Sequence, residues 1–184
     1  MKKIISIVTP VFNEEQNVQP LYEQVSNLFD NQLIDYSFEY IFIDNNSTDN
    51  TASILREMAQ GDKRIKVILN ARNFGQIRSP YYALFQSIGD ATVLIVADLQ
   101  EDPNLILNFI SEWEKGYLVV AGVKNKSEEN FLMFGLRQIY YNLIQKFSDV
   151  EQIKNFTGFG LYDRSVISAL KQLNDPYPYL RGMI

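Results

Sequence analysis

The side chains best suited to chemistry in this sequence fall into four polar clusters, each directly after an apolar run. They are Thr9-Pro10-Val11-Phe12-Asn13-Glu14-Glu15, Asp44-Asn45-Asn46-Ser47-Thr48-Asp49, Arg72-Asn73-Phe74-Gly75-Gln76 and Ala97-Asp98-Leu99-Gln100-Glu101-Asp102-Pro103. The chain contains no His and no Cys. The commonest base, thiol nucleophiles and soft metal ligands are therefore missing, and any catalytic base or metal ligand must be Asp, Glu or an amide oxygen.

The fourth cluster carries the sharpest signal. Alternation continued beyond the preceding run puts Asp98 and Gln100 on one side, where a carboxylate and an amide oxygen can reach one cation. Hard Mg2+ or Mn2+ takes oxygen ligands, commonly keeps only one or two protein carboxylates, and completes its shell with substrate phosphate oxygens. That is the chemistry of a diphosphate leaving group. Capping of the next helix explains Glu101 or Asp102 but leaves Asp98 unexplained. In the first cluster, Asn13 and Glu14 suit a base or ribose, and equally an N-cap and the positive end of a helix. In the second, carboxylates and amides can accept from a base N–H or a ribose hydroxyl, whereas Asp49 and Ser47 read better as caps. In the third, Gly75 lets the backbone approach a nucleotide, although an isolated Asn-Phe-Gly also serves simply to bend a chain.

These clusters need elements that bring them together. Apolar runs at Ile4–Val8, Tyr40–Ile43, Ile65–Leu69, Ala91–Ala97 and Leu118–Val123 read as buried parallel strands. Between them Val18, Leu21, Tyr22, Val25, Leu28 and Phe29 recur at helical spacing, as do Ile54, Leu55 and Met58. A third helix is expected over Ile77–Ser87, starting near Ser79 so that Pro80 sits in its first turn. A fourth is expected from Pro103 to Glu114. Further on, Phe131–Phe147 reads as a longer helix, Phe156–Tyr162 as a strand or turn, and Asp163–Leu173 as a helix. This order predicts an α/β, Rossmann-like, mostly parallel sheet with helices on both faces, whose ligands bind at the carboxyl ends of the strands.

At 184 residues, with 46% hydrophobic and 21% charged, the chain is in the range of one globular domain that folds without disulfides or a structural metal. A net charge of -5 with no run of Lys or Arg argues against nucleic-acid binding. The apolar stretch after Met1-Lys2-Lys3 is too short for a signal peptide and reads as a strand. No stretch reaches the roughly 18 apolar residues of a spanning helix. The pattern stops in mid-course at Ile184, which predicts a continuation that carries membrane segments.

Taken in order, Pro-Val-Phe-Asn-Glu at 10–14, Asp-Asn-Asn-Ser-Thr-Asp-Asn-Thr at 44–51, Arg-Asn-Phe-Gly at 72–75, Ala-Asp-Leu-Gln at 97–100, Asp163-Arg164 and Arg181-Gly182 resemble the inverting glycosyltransferases of family two with the GT-A fold. The likeness is greatest to the branch of dolichyl-phosphate mannosyltransferases and bactoprenol glucosyltransferases. By that resemblance Pro10, Phe12, Asn13 and Glu14 cradle a nucleoside, Asp44 and Asn45 contact base or ribose, and Gly75 and Gln76 line the same pocket. Asp98 and Gln100 then hold the Mg2+ or Mn2+ that bridges the donor phosphates. Arg181 pairs with a phosphate, and Lys124 and Arg137 either serve an acceptor phosphate or are solvated surface charges.

The resemblance implies metal-dependent transfer of a sugar from a nucleotide-sugar, expected to be a UDP-sugar, to a polyprenyl phosphate at the cytoplasmic face of a membrane. Alternatives are transfer to a hydroxyl of a surface polysaccharide or glycolipid, and a nucleotide-binding domain with degraded catalysis. A homo-oligomer is compatible with all three. Several positions depart from the family pattern. Val96 stands where the first Asp of the paired Asp-x-Asp is usual, and Asn45 where a second Asp follows strand two. Gly158 and Gly160 stand where lipid-phosphate relatives often carry the Asp and Arg of Asp-Phe-Arg. The missing Asp leans toward an already anionic phosphate acceptor, or leaves the base to Asp163, Glu101 or Asp102.

Overall fold

In the computed structural model, which describes residues 2–123, 156–173, 175, 178 and 180–184, period-two alternation along the first strands decides the layering. Strands β1 (Ile4–Val11) and β2 (Ser37–Asp44) bury side chains on both faces. Ile5, Ile7, Tyr40 and Phe42 join one core, while Val8, Ile41 and Ile43 join the other. Burial on both sides is why these strands read as unbroken apolar runs. Helices α1 (Val18–Asn31), α2 (Thr51–Gly61) and α4 (Leu105–Glu114) close the first core with Leu21, Val25, Leu55, Ile106 and Phe109. Helices α3 (Gly75–Leu84) and α5 (Arg164–Leu173) close the second with Ala83, Leu84 and Ile167.

Strands β3 (Ile65–Leu69), β4 (Ala91–Leu94), β5 (Val119–Val123) and β6 (Phe156–Asp163) complete a 6-stranded sheet of order β3-β2-β1-β4-β6-β5. The first four strands run parallel, and β6 runs antiparallel to both of its neighbours. The chain passes from β1 to β2 on one side and reaches β4 on the other. Strand order therefore reverses between β1 and β4, and the carboxyl ends open there into the crevice expected of such sheets. Val11 stands opposite Asp44, so the first two polar clusters leave the sheet side by side.

Some elements depart from the sequence expectation for physical reasons. Helix α3 starts at Gly75 and carries Pro80 in its interior, a turn earlier than a start at Ser79. Hydrogen bonds from Phe74 N–H to Asn45 Oδ1 and from Gly75 N–H to Asn73 Oδ1, both 2.8 Å, fix the chain at that point. Ser79 is buried and accepts from Asn70 Nδ2 at 3.0 Å instead of capping. Pro80 has no N–H to offer the Gln76 carbonyl, so this helix gives up one rung. Strand β4 ends at Leu94, yet Ile95 N–H still donates to Val8 O at 3.0 Å. Ile95 and Ala97 are apolar because they are packed. Helix α4 starts at Leu105 rather than Pro103. The helix expected over 131–147 lies outside the described residues, as do Lys124 and Arg137. Among the described residues no helix is long and apolar enough to cross a membrane.

Two glycines of β6 bear on the departures noted above. Gly158 has φ +101, a region that residues with a side chain rarely adopt. At Gly160 an added Cβ would stand 2.5 Å from the Val120 carbonyl oxygen on β5. The pairing of β5 with β6 thus leaves no room for a side chain at position 160, whereas at position 158 it is the backbone conformation that disfavours one. Gly160→Ala is expected to lower stability by about 1–3 kcal/mol, read from the midpoint of urea unfolding. A midpoint equal to that of the unsubstituted protein would mean that β5 yields freely.

Candidate functional site

The first two clusters lock onto each other before either can meet a ligand. Asn45 N–H continues the β1–β2 ladder by donating to Val11 O at 2.9 Å. Asn13 takes a left-handed φ of 57°. Its N–H donates to Ser47 Oγ at 2.9 Å and its Oδ1 accepts from Thr48 N–H at 2.8 Å. Glu14 N–H donates to Thr51 Oγ1 at 2.8 Å, and Asn50 N–H to Glu15 Oε2 at 2.9 Å. The buried Asp44 carboxylate accepts from Ser47 N–H at 3.2 Å and from the Ser47 hydroxyl. Asp49 accepts from Thr51 N–H at 3.0 Å and works as a cap. Burial raises the Asp49 carboxyl, but hydrogen bonds from Thr51 and Glu15 outweigh this and hold it below the usual range.

Beside this lock lies a cleft of about 810 Å³ at the carboxyl edge. Pro10, Phe12, Glu14, Asn45, Gly75, Gln76, Asp98 and Gln100 all line it. Asn13 and Asp44 stand outside that lining, with their side-chain oxygens on the 47–48 turn. Leu180 of a short helix α6 (Leu180–Met183) reaches the cleft, and Arg181 follows it in the same helix. Sequence reasoning missed the wall made by Ser79, Pro80, Leu94 and Thr157. Apolar floor residues carry no chemical signal, and Thr157 arrives on an antiparallel strand from far along the chain.

Asp98 and Gln100 come together by a turn, not by strand alternation. Leu99 adopts φ 56°, which costs a bulky residue roughly 1–2 kcal/mol. Asp98 Oδ1 accepts from Gln100 N–H at 3.1 Å, one bond on a carboxylate with about four lone-pair sites. Glu101 is buried in the same wall, and Thr157 Oγ1 donates to its Oε1 at 2.7 Å. Asp102 is exposed and accepts from Asn104 N–H at 2.9 Å at the start of α4.

The structure corrects the expectation that Asp163 belongs to this site. Asp163 pairs with Ala91, at the amino end of β4, whereas Asp98 lies beyond its carboxyl end. The strand alone separates them by roughly 10 Å. Asp163 Oδ2 accepts from Trp113 Nε1 at 2.8 Å, and Oδ1 accepts from Ser165 N–H at 2.8 Å and Ser165 Oγ at 2.5 Å. Burial raises its carboxyl, but these hydrogen bonds prevail and hold it below the usual range. It is an ionised cap on α5 at the opposite edge of the sheet.

Charge in the cleft is one-sided. Among the described lining residues Glu14, Asp98 and Glu101 are carboxylates and none is Lys or Arg. Such a surface repels a diphosphate unless a cation intervenes. The described residues contain no group of 3 or more His, Cys, Asp or Glu able to hold a metal ion. The Asp98 carboxylate and the Gln100 amide oxygen therefore fit a hard ion that shares its shell with phosphate and water, and do not fit a soft metal or a complete protein cage.

Residues 6–170 match Glycosyl transferase family 2. The sequence is 34% identical over 180 residues to an uncharacterized glycosyltransferase of Bacillus subtilis, covering 97% of this chain and 55% of that protein. It is 30% identical over 181 residues to a prophage bactoprenol glucosyl transferase homolog of Escherichia coli, covering 98% of this chain and 58% of that protein. The chain spans about half the length of the curated relatives it matches. Its fold resembles that of a mannosyltransferase of Pyrobaculum calidifontis solved with GDP-Man and Mn2+, at a TM-score of 0.62 and 18% identity over 99% of this chain and 50% of that one. The architecture is the GT-A fold.

Replacing Asp163 tests its reassignment. Asp163→Ala is expected to cost about 1–2 kcal/mol as a lost cap while leaving the amide resonances of residues 97–101 in place. Because the folded carboxyl is depressed, its stabilisation is present above the ordinary value of about 3.9 and is lost as pH falls through the folded value. The loss of stability on acidification should therefore be shallower in Asp163→Ala than in the parent, and a parallel pH profile would contradict the assignment.

Proposed function

Because this chain belongs to glycosyl transferase family 2, we propose that it binds a nucleotide-sugar in the switch-point cleft and transfers the sugar to a polyprenyl phosphate. The observation that carries this reading is the acidic cleft whose β4 turn presents Asp98 and Gln100 together. UDP-sugar is the favoured donor. Asp98 and Gln100 would hold Mg2+ or Mn2+, which when bound supplies charge neutralisation and Lewis acidity at the donor diphosphate. Phe12 and Pro10 offer the nucleoside an exposed ring and an apolar edge. The α3 start at Gly75–Ile77 closes the facing wall.

Transfer forms a bond between an acceptor oxygen and the anomeric carbon as the bond to the diphosphate oxygen breaks. A polyprenyl phosphate already carries the attacking electron pair at neutral pH, so the chain has only to align it and exclude water. This suits a cleft in which Asp163 is absent and Gly158 offers no carboxylate. The bactoprenol transferase relatives support the same acceptor class. A second reading, transfer to a glycan hydroxyl, is favoured by Glu101. That buried carboxylate lines the cleft and would accept the hydroxyl proton.

The test uses the full-length protein and measures nucleotide release from UDP-, GDP- and dTDP-sugars with Mn2+ or Mg2+, with and without a short polyprenyl phosphate. Metal-dependent release stimulated by the polyprenyl phosphate is expected; none with any donor would sink the proposal. Asp98→Ala should abolish the metal dependence of nucleotide binding without moving the melting temperature, and unaltered metal-dependent affinity would remove Asp98 from the site. Glu101→Gln separates the acceptors. Turnover falling by about 10²–10⁴ is the signature of a lost base, and a change below tenfold supports the phosphate acceptor.

A further inference from the structure

We propose that Asn45 is a positioning residue, which shapes donor binding by holding the loop before α3 in place and makes no contact with the base. The inference rests on the reading above for its ligand and on geometry for the rest. A side-chain amide offers two donor and two acceptor sites, and here the protein uses all four. Asn45 Nδ2 donates to Asn73 Oδ1 at 2.7 Å and to Gly75 O at 3.4 Å. Asn45 Oδ1 accepts from Phe74 N–H at 2.8 Å and from Asn70 Nδ2 at 3.2 Å. The orientation of the amide is unambiguous, because Phe74 N–H can only donate. The residue is 6% exposed and its own N–H is tied to Val11 O at 2.9 Å.

These bonds join two parts of the cleft that the chain itself does not connect closely. One end is fixed to the carboxyl edge of β2, and the other is the turn from which Gly75 and Gln76 enter the cleft wall. An Asp at position 45 keeps both acceptances, loses both donations and sets a carboxylate against Asn73 Oδ1 and Gly75 O. This accounts for Asn where the family pattern has a second Asp. Asn73 is the partner that makes the idea testable, since it is exposed and does not line the cleft. Its Oδ1 accepts from both Asn45 Nδ2 and Gly75 N–H.

The experiment compares Asn45→Asp, Asn73→Ala, Asn73→Ser and the double variant Asn45→Asp/Asn73→Ser in the full-length protein. Thermal melting checks the fold, calorimetry with UDP, GDP and dTDP plus Mn2+ reads binding, and hydrogen exchange reads the Phe74 and Gly75 amides. Asn45→Asp and Asn73→Ala should each weaken binding of the preferred nucleotide by about tenfold or more and speed exchange at both amides by a similar factor. Asn73→Ser alone should change little. The double variant should recover both readouts, because a serine hydroxyl can donate to the new carboxylate and still accept from Gly75 N–H.

Unchanged exchange and affinity in Asn73→Ala would overturn the proposal, even if Asn45→Asp failed to fold. So would an Asn45→Asp variant that shifts preference between UDP and GDP and is not rescued by Asn73→Ser, since Asn45 would then be reading the base. If the parent protein binds none of the three nucleotides, the functional reading fails. The exchange data alone then decide whether Asn45 holds the loop.

Discussion

Past the last strand bonds, Asn45 N–H to Val11 O and Asn70 N–H to Asp44 O, several N–H groups of the loops between β1 and α3 have no helix or strand carbonyl to meet. Asn13, Asp44, Asn45 and Asn73 meet them with side-chain oxygens, taking the N–H groups of Thr48, Ser47, Phe74 and Gly75. Each such bond contributes about 0.5–1.5 kcal/mol net, and together they set where the loops of this edge stand. The loops stand where these short polar side chains can reach. The cleft is what the satisfied loops leave open.

The amino ends of the strands obey the same rule to a different end. Glu39 accepts from Ser6 Oγ at 2.5 Å, Ile88 N–H at 2.7 Å and Lys66 Nζ at 2.5 Å. Burial raises its carboxyl, yet these partners keep it below the usual range. Asp163 and Trp113 make a comparable closed pair nearby. Carboxylates at this edge are surrounded by protein donors and knit elements together. At the carboxyl edge Glu14, Asp98 and Glu101 instead line a cleft without Lys or Arg among its described lining residues, which leaves charge to be balanced by whatever binds.

Much of this was legible in the residues. The apolar runs located the strands because burial on both faces demands them, and the clusters after those runs located the cleft because a doubly wound sheet binds there. Asp98 and Gln100 both line the cleft, but a left-handed Leu99 brings them there and not the alternation expected from the sequence. Other positions were not readable. Whether Asn13 faces a ligand or a neighbouring loop depends on partners more than 30 residues away in sequence, and Asp44 turns onto Ser47, three residues on, in a contact that the pattern alone does not distinguish from a ligand site. The start of α3 is fixed from outside the helix by Asn45, which no local signal reveals. Asp163 was misplaced because its position follows from β6 running antiparallel, and the sequence pattern left that segment as either strand or turn.

The tight crossing of Gly160 against Val120 has a consequence for descent. On this backbone any side chain at position 160 meets the Val120 carbonyl, so a larger residue fits there only if the two strands move apart. Any homologue with a bulky residue at this position should show a wider spacing between these two strands. The distance between two strands then becomes a readable trace of what a single position has tolerated.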